Sequence, residues 1–93
     1  MTTYFVECYW PGVSEMQLAA ALDRLGGDSV RPLDTILVPA DEIVLCVLAG
    51  RSETEIRAAV GRAGLPSERV VECVQVVAGT ASHASRSTEG RRA

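Results

Sequence analysis

The chain repeats itself at an offset of 38 residues. Cys8 recurs as Cys46, Gly12 as Gly50, Ser14 as Ser52 and Glu15 as Glu53. Ala20, Ala21, Arg24 and Gly26 recur as Ala58, Ala59, Arg62 and Gly64, and Ser29 and Arg31 as Ser67 and Arg69. Where apolar positions differ they stay apolar, Leu18 becoming Ile56 and Leu22 becoming Val60. A period of this size is that of a repeated supersecondary unit, and two copies are too few to stack as a solenoid. The length of 93 residues leads to the same reading. A chain this short buries only roughly 60–65% of its unfolded surface and cannot support two cores, so the two units must share one.

Each unit reads as strand, helix, strand. Residues 3–10 and 43–49 are apolar runs rich in β-formers. Ser14-Glu15-Met16-Gln17 and Ser52-Glu53-Thr54-Glu55 then predict two capping boxes, in which serine accepts from the third helical amide and the residue three positions on reaches back. Val13 and Leu18 stand at staple positions, and Leu18, Leu22 and Leu25 form one stripe, matched by Ile56, Val60 and Ala63. Gly26 and Gly64 are expected to end the helices in the left-handed conformation, with Leu65 folding back on Val60 before Pro66. Second strands are predicted over 30–38 and 69–77, and Val38-Pro39-Ala40-Asp41-Glu42 is a turn joining the halves.

Strands joined by a helix cross over right-handed, so each half leaves a gap that the other half fills. The expected product is an α+β, ferredoxin-like βαββαβ domain over residues 1–77, with halves 3–38 and 43–77. Its four-stranded antiparallel sheet runs in the order 4-1-3-2 with two helices on one face. Residues 78–93 are small, polar and aperiodic and are expected to be a disordered tail.

Charge narrows the partners. A net charge of −3, with basic residues scattered singly apart from Arg91-Arg92, offers no stripe for nucleic acid and no polybasic segment for an anionic membrane. The N-terminus lacks a cationic start followed by an apolar run, and no apolar stretch has the length of a membrane span, so a cytoplasmic location is expected. In a reducing compartment Cys8, Cys46 and Cys73 are expected as free thiols.

Tyr4, Phe5, Tyr9 and Trp10 are the only aromatics, and all lie on the first strand. Strand alternation puts Tyr4, Val6, Cys8 and Trp10 on one face and Phe5, Glu7 and Tyr9 on the other. Both faces are substantially apolar, two helices cover only one, and the other predicts a homodimer packed sheet against sheet.

Candidate chemistry follows from the strand order. Strands four, one and three are neighbours, so Cys73, Cys8 and Cys46 are placed to cluster, where thiolates near Glu7 or Glu72 would bind a transition metal. The chain has no CxxC pair, and a buried cysteine more commonly behaves as a small hydrophobe. Glu7 and Glu72 alternate with apolar residues on central strands. On one face they would form a polar pair in an apolar cleft; otherwise they line a rim, paired with Arg31 or Arg69. With Tyr9 and Trp10 these two carboxylates make up the expected ligand-binding set.

Three segments carry a family resemblance over residues 3–77: Tyr4-Phe5-Val6-Glu7, Leu45-Cys46-Val47-Leu48, and Arg62-Ala63-Gly64-Leu65-Pro66-Ser67-Glu68-Arg69-Val70. In these the chain resembles a family of small actinobacterial proteins of unassigned function that includes a nickel-binding member. The resemblance implies a ferredoxin-like fold, dimerisation, and binding of nickel or another transition metal. The chain departs from it in placing its one histidine, His83, in the tail, and in carrying Cys8 where that family is expected to have a basic residue. Two function classes follow. The first is a cytoplasmic dimeric ligand- or metal-binding protein. The second is a cofactor-free isomerase, cyclase or monooxygenase of the dimeric α+β-barrel type, with Glu7 or Tyr9 as proton-transfer group. A purely assembling or regulatory subunit is a third expectation.

Overall fold

Serine, glycine and the β-branched runs divide the chain as the repeat requires. In the computed structural model, which describes residues 1–26 and 29–78, the elements are β1 (Thr2–Tyr9), α1 (Glu15–Leu25), β2 (Arg31–Val38), a 3-10 turn (Pro39–Asp41), β3 (Ile43–Gly50), α2 (Glu53–Ala63) and β4 (Ser67–Glu72). The strands form one antiparallel sheet in the order β2-β3-β1-β4. This is the interleaved order expected of two βαβ halves, and the fold is ferredoxin-like α+β. No helix among the described residues is long and apolar enough to cross a membrane. Residues 79–93, most of the expected tail, lie outside the described residues.

The helices begin as a capping argument predicts, with one difference. Gln17 N–H donates to Ser14 Oγ at 3.1 Å and Ser14 N–H donates to Gln17 Oε1 at 2.8 Å, a complete capping box. In the second half Glu55 N–H donates to Ser52 Oγ at 3.1 Å, but the carboxylate of Glu55 does not return to the Ser52 amide. It accepts from Arg51 N–H at 2.7 Å and from Arg51 Nη2 at 3.1 Å, and takes the hydroxyl of Ser29 from the other half. A charged donor and a hydroxyl outcompete one neutral amide for a carboxylate. These hydrogen bonds, from Ser29 first and then Arg51, lower the Glu55 pKa to about 2. The link between the halves is therefore intact above the ordinary carboxylate range and is released only as acid approaches that value.

The two helix ends also differ. Gly64 takes φ 83° and Leu65 N–H donates to Val60 O at 2.9 Å, so Leu65 folds back as expected and is buried. Gly26, expected to be left-handed, has φ −70° instead. Its N–H donates to Asp23 O at 3.2 Å, closing α1 with an i to i−3 turn that requires no positive φ. Arg24 in the last turn of α1 donates from Nε at 3.0 Å and Nη2 at 2.7 Å to Ala63 O, so one helix supplies the C-terminal cap of the other.

The expected last strand, 69–77, is shortened to Ser67–Glu72. Glu72 pairs with Tyr4, and Cys73 N–H donates to Thr3 O at 2.9 Å. β1 itself continues two residues past Tyr4, to Thr2, which pairs with Gly50 of β3, yet the ladder with β4 ends there, so β-propensity alone does not extend it. The core lies between the helices and the sheet face carrying Tyr4, Val6 and Cys8 of β1 and Val44, Cys46 and Leu48 of β3. Leu18, Leu25, Ile56 and Val60 close it from the helix side.

Candidate functional site

Strand pairing decides what the second sheet face presents. Residues directly opposite on neighbouring strands share a face, and Phe5, Glu7 and Tyr9 lie on the face away from the core. One row across it runs Ile36, Leu45, Glu7, Arg69; the next runs Asp34, Val47, Phe5, Val71. Its apolar members are not covered by the other described residues: Ile36 is 53% and Tyr9 51% exposed, and Phe5, Leu45, Val47 and Val71 are half-buried. Charged residues on this face include Glu7 on β1, opposite Arg69 on the edge strand β4, and Asp34 on the other edge strand, β2. Side chains placed directly opposite, as Glu7 and Arg69 are, have Cβ atoms about 5 Å apart. Just beyond this pair the ladder of β1 and β4 slips, Cys8 pairing with Ser67 and Glu68 taking no partner, and such bulges re-aim side chains.

The candidate ligand residues do not all reach this face. Glu7 and Tyr9 do, and Tyr9 Oη donates to Glu42 Oε1 at 3.4 Å. Trp10 follows the alternation of Cys8 and packs, half-buried, against the core. Glu72 is exposed and pairs with Tyr4, whose side chain is in the core, so alternation turns it away from Glu7. The expected carboxylate pair is therefore not formed, and Arg69 is the cross-strand neighbour of Glu7.

The cysteines divide in the same way. Cys8 and Cys46 are fully buried on the helix side, on adjacent strands and diagonally placed two register pairs apart, Cys8 opposite Val44 and Cys46 opposite Val6. Burial pushes the Cys8 thiol up to about 12, with Cys46, Glu68 and Glu7 adding to the effect. Burial raises Cys46 as well, against a hydrogen bond from Thr35 that lowers it. Cys73, half-buried, follows β4 and by alternation faces the other way. Among the described residues no three cysteine, histidine, aspartate or glutamate side chains come together as a metal site. A transition metal takes thiolates, and here two of the three thiols are protonated and dry, so this donor set does not fit one. At pH 7.5 iodoacetamide should add once per native chain, at Cys73, and three times in denaturant. Intact mass spectrometry reads the count, and rapid native labelling of Cys8 would contradict the burial.

A second feature was not legible in the sequence. A cavity of about 360 Å³ lies between α1 and the edge strand β2, lined by Glu15, Leu18, Ala19, Leu22, Thr35, Leu37 and Pro39. It is an open groove along β2, which has no strand beyond it among the described residues. The small side chain of Ala19 leaves the gap open where a larger residue would reach down.

Neither models of known families nor curated proteins give a match to the chain. Among solved structures it is similar to SCO4226 from Streptomyces coelicolor A3(2), with a TM-score of 0.66 at 16% identity. The alignment covers 81% of this chain and 99% of that one. At that identity the likeness is one of fold, and it agrees with the strand order found here: the chain is a ferredoxin-like α+β domain.

Proposed function

We propose that this chain is a homodimeric ligand-binding domain whose two uncovered sheet faces meet and enclose a small, largely apolar molecule, held in register by Glu7 and Arg69. The observation that carries the reading is the composition of that face. A soluble domain rarely leaves Phe5, Leu45, Val47, Ile36 and Val71 contiguous and uncovered, and an apolar surface of this kind marks an association site. A ligand site adds to such a surface a few convergent polar groups, and the cross-strand neighbours Glu7 and Arg69 supply them. Membership of the small actinobacterial family resembled in sequence belongs to the same proposal. Its nickel-binding aspect draws no support from the cysteines, for the reasons of burial and protonation given above.

The test is direct. Light scattering on a sizing column should give about twice the chain mass of 9.9 kDa at micromolar concentration. The dimer should also take up the apolar anion 1-anilinonaphthalene-8-sulfonate saturably. A monomer would end the proposal. A dimer that excludes the probe would leave an assembling subunit without a ligand.

A further inference from the structure

We infer that residues 73–77, Cys-Val-Gln-Val-Val, form an exchanged arm that adds as a fifth strand to the outer edge of β2 in a second copy of this chain. This rests on the homodimer proposed above and names a contact that the sheet faces do not make. Val74, Val76 and Val77 are 83%, 86% and 73% exposed. Val74 stands opposite Thr2, the first residue of β1, without joining the ladder, and Val76 and Val77 lie past the end of β1, so these are β-forming residues with no ladder partner among the described residues.

The acceptor is selected by three features. The outer edge of β4 carries exposed Glu68, Arg69 and Glu72, and charge on an edge discourages pairing. β2 is closed at its start by Pro32, which lacks an N–H, and by the bulge at Leu33, but its second half, Thr35, Ile36, Leu37 and Val38, is uncharged. The cavity of about 360 Å³ lies along that half, under α1. A strand added there sends alternate side chains toward the helix side, where the cavity presents Leu18, Leu22 and Leu37 to a valine. Edge addition of this kind takes affinity from main-chain hydrogen bonds and specificity from pockets for alternate side chains.

A chain's own arm does not reach its own β2. The place beyond β2 is four inter-strand steps from β4, about 19 Å. Five extended residues span at most about 17 Å and would have nothing left to pair. The arm is also too small to hold a dimer alone. Six valines on two arms bury roughly 360 Å² at about 60 Å² apiece, whereas a stable interface starts near ~1,200 Å². The sheet faces must supply the rest.

Amide hydrogen exchange on the full chain tests this. In the dimer, amides of 74–77 and the outward amides of 35–38 should be protected together, and both should open on dilution to monomer. Val74→Asp/Val76→Asp, at positions exposed in the monomer, and Ala19→Phe, which fills the cavity, should each remove that protection and raise the dimer dissociation constant tenfold or more without unfolding the subunit. A dimer whose arm exchanges freely overturns the arm and leaves the sheet-face dimer standing. Protection that persists in the monomer overturns it too. A chain that is monomeric at every concentration ends the dimer reading itself.

Discussion

Val47→Arg should leave a folded monomer. Val47 sits in the middle of the uncovered face, half-buried, with Phe5 on one side and Asp34 on the other. In the isolated subunit an arginine there finds the Asp34 carboxylate on the neighbouring strand, so folding is little affected. In a two-fold interface the same change puts two guanidinium groups into one apolar contact, and taking charge out of water without full compensation costs several kcal/mol. The expected loss is at least about 3 kcal/mol of association free energy, more than a hundredfold in dissociation constant. Circular dichroism should be unchanged while light scattering falls to the single-chain mass. A variant that still dimerises with native affinity would place the interface elsewhere.

The second large effect is on stability, and it separates the two sheet faces. Leu48 is on β3 facing the helices and has no exposed surface, whereas Ile36, one strand over on the other face, is half open to solvent. Leu48→Ala removes buried methyl groups and leaves a cavity that a small core closes poorly, costing about 3–4 kcal/mol. Stability for a domain of this size is on the order of 5–10 kcal/mol, so the melting temperature should fall by roughly 15 °C or more. Ile36→Ala should cost less than about 1 kcal/mol in the monomer. Thermal unfolding of both variants reads the contrast. Equal losses would mean that both faces are core.

Glu7 shows how position within a pattern separates a site from a coincidence. Its alternation with Val6 and Cys8 is visible in the chain, and the face it shares with Phe5 and Tyr9 follows from that alone. Its neighbour does not. Arg69 meets Glu7 only because β4 pairs antiparallel with β1 in one register, and a shift of one residue would put Val70 there and turn Arg69 toward the core. Glu72, equally polar and on the same strand, is three positions along and so looks the other way.

The cysteines carry the same lesson for chemistry. The repeat places Cys8 and Cys46 at equivalent points of equivalent strands, and the sheet order makes those strands neighbours. A nearby pair of thiols was therefore legible. Which side of the sheet they face decides whether they are ligands or core, and that depends on where the helices pack. They pack over the cysteines, and desolvation holds the thiols protonated.

What the chain determined by itself is local and periodic. The repeat, the serine caps, Gly64 and the β-branched runs dictate two like units, because capping, left-handed backbone and side-chain alternation act over a few residues. Right-handed crossover then leaves the interleaved sheet as the order that closes one core. Only the tertiary structure decided how the halves differ. Glu55 abandons its own cap for Arg51 and Ser29, Gly26 ends its helix without positive φ, β4 stops two residues short of the end of β1, and the groove opens under α1 beside an edge. Each depends on contacts between residues far apart in the chain, whose energies a repeat in sequence does not encode.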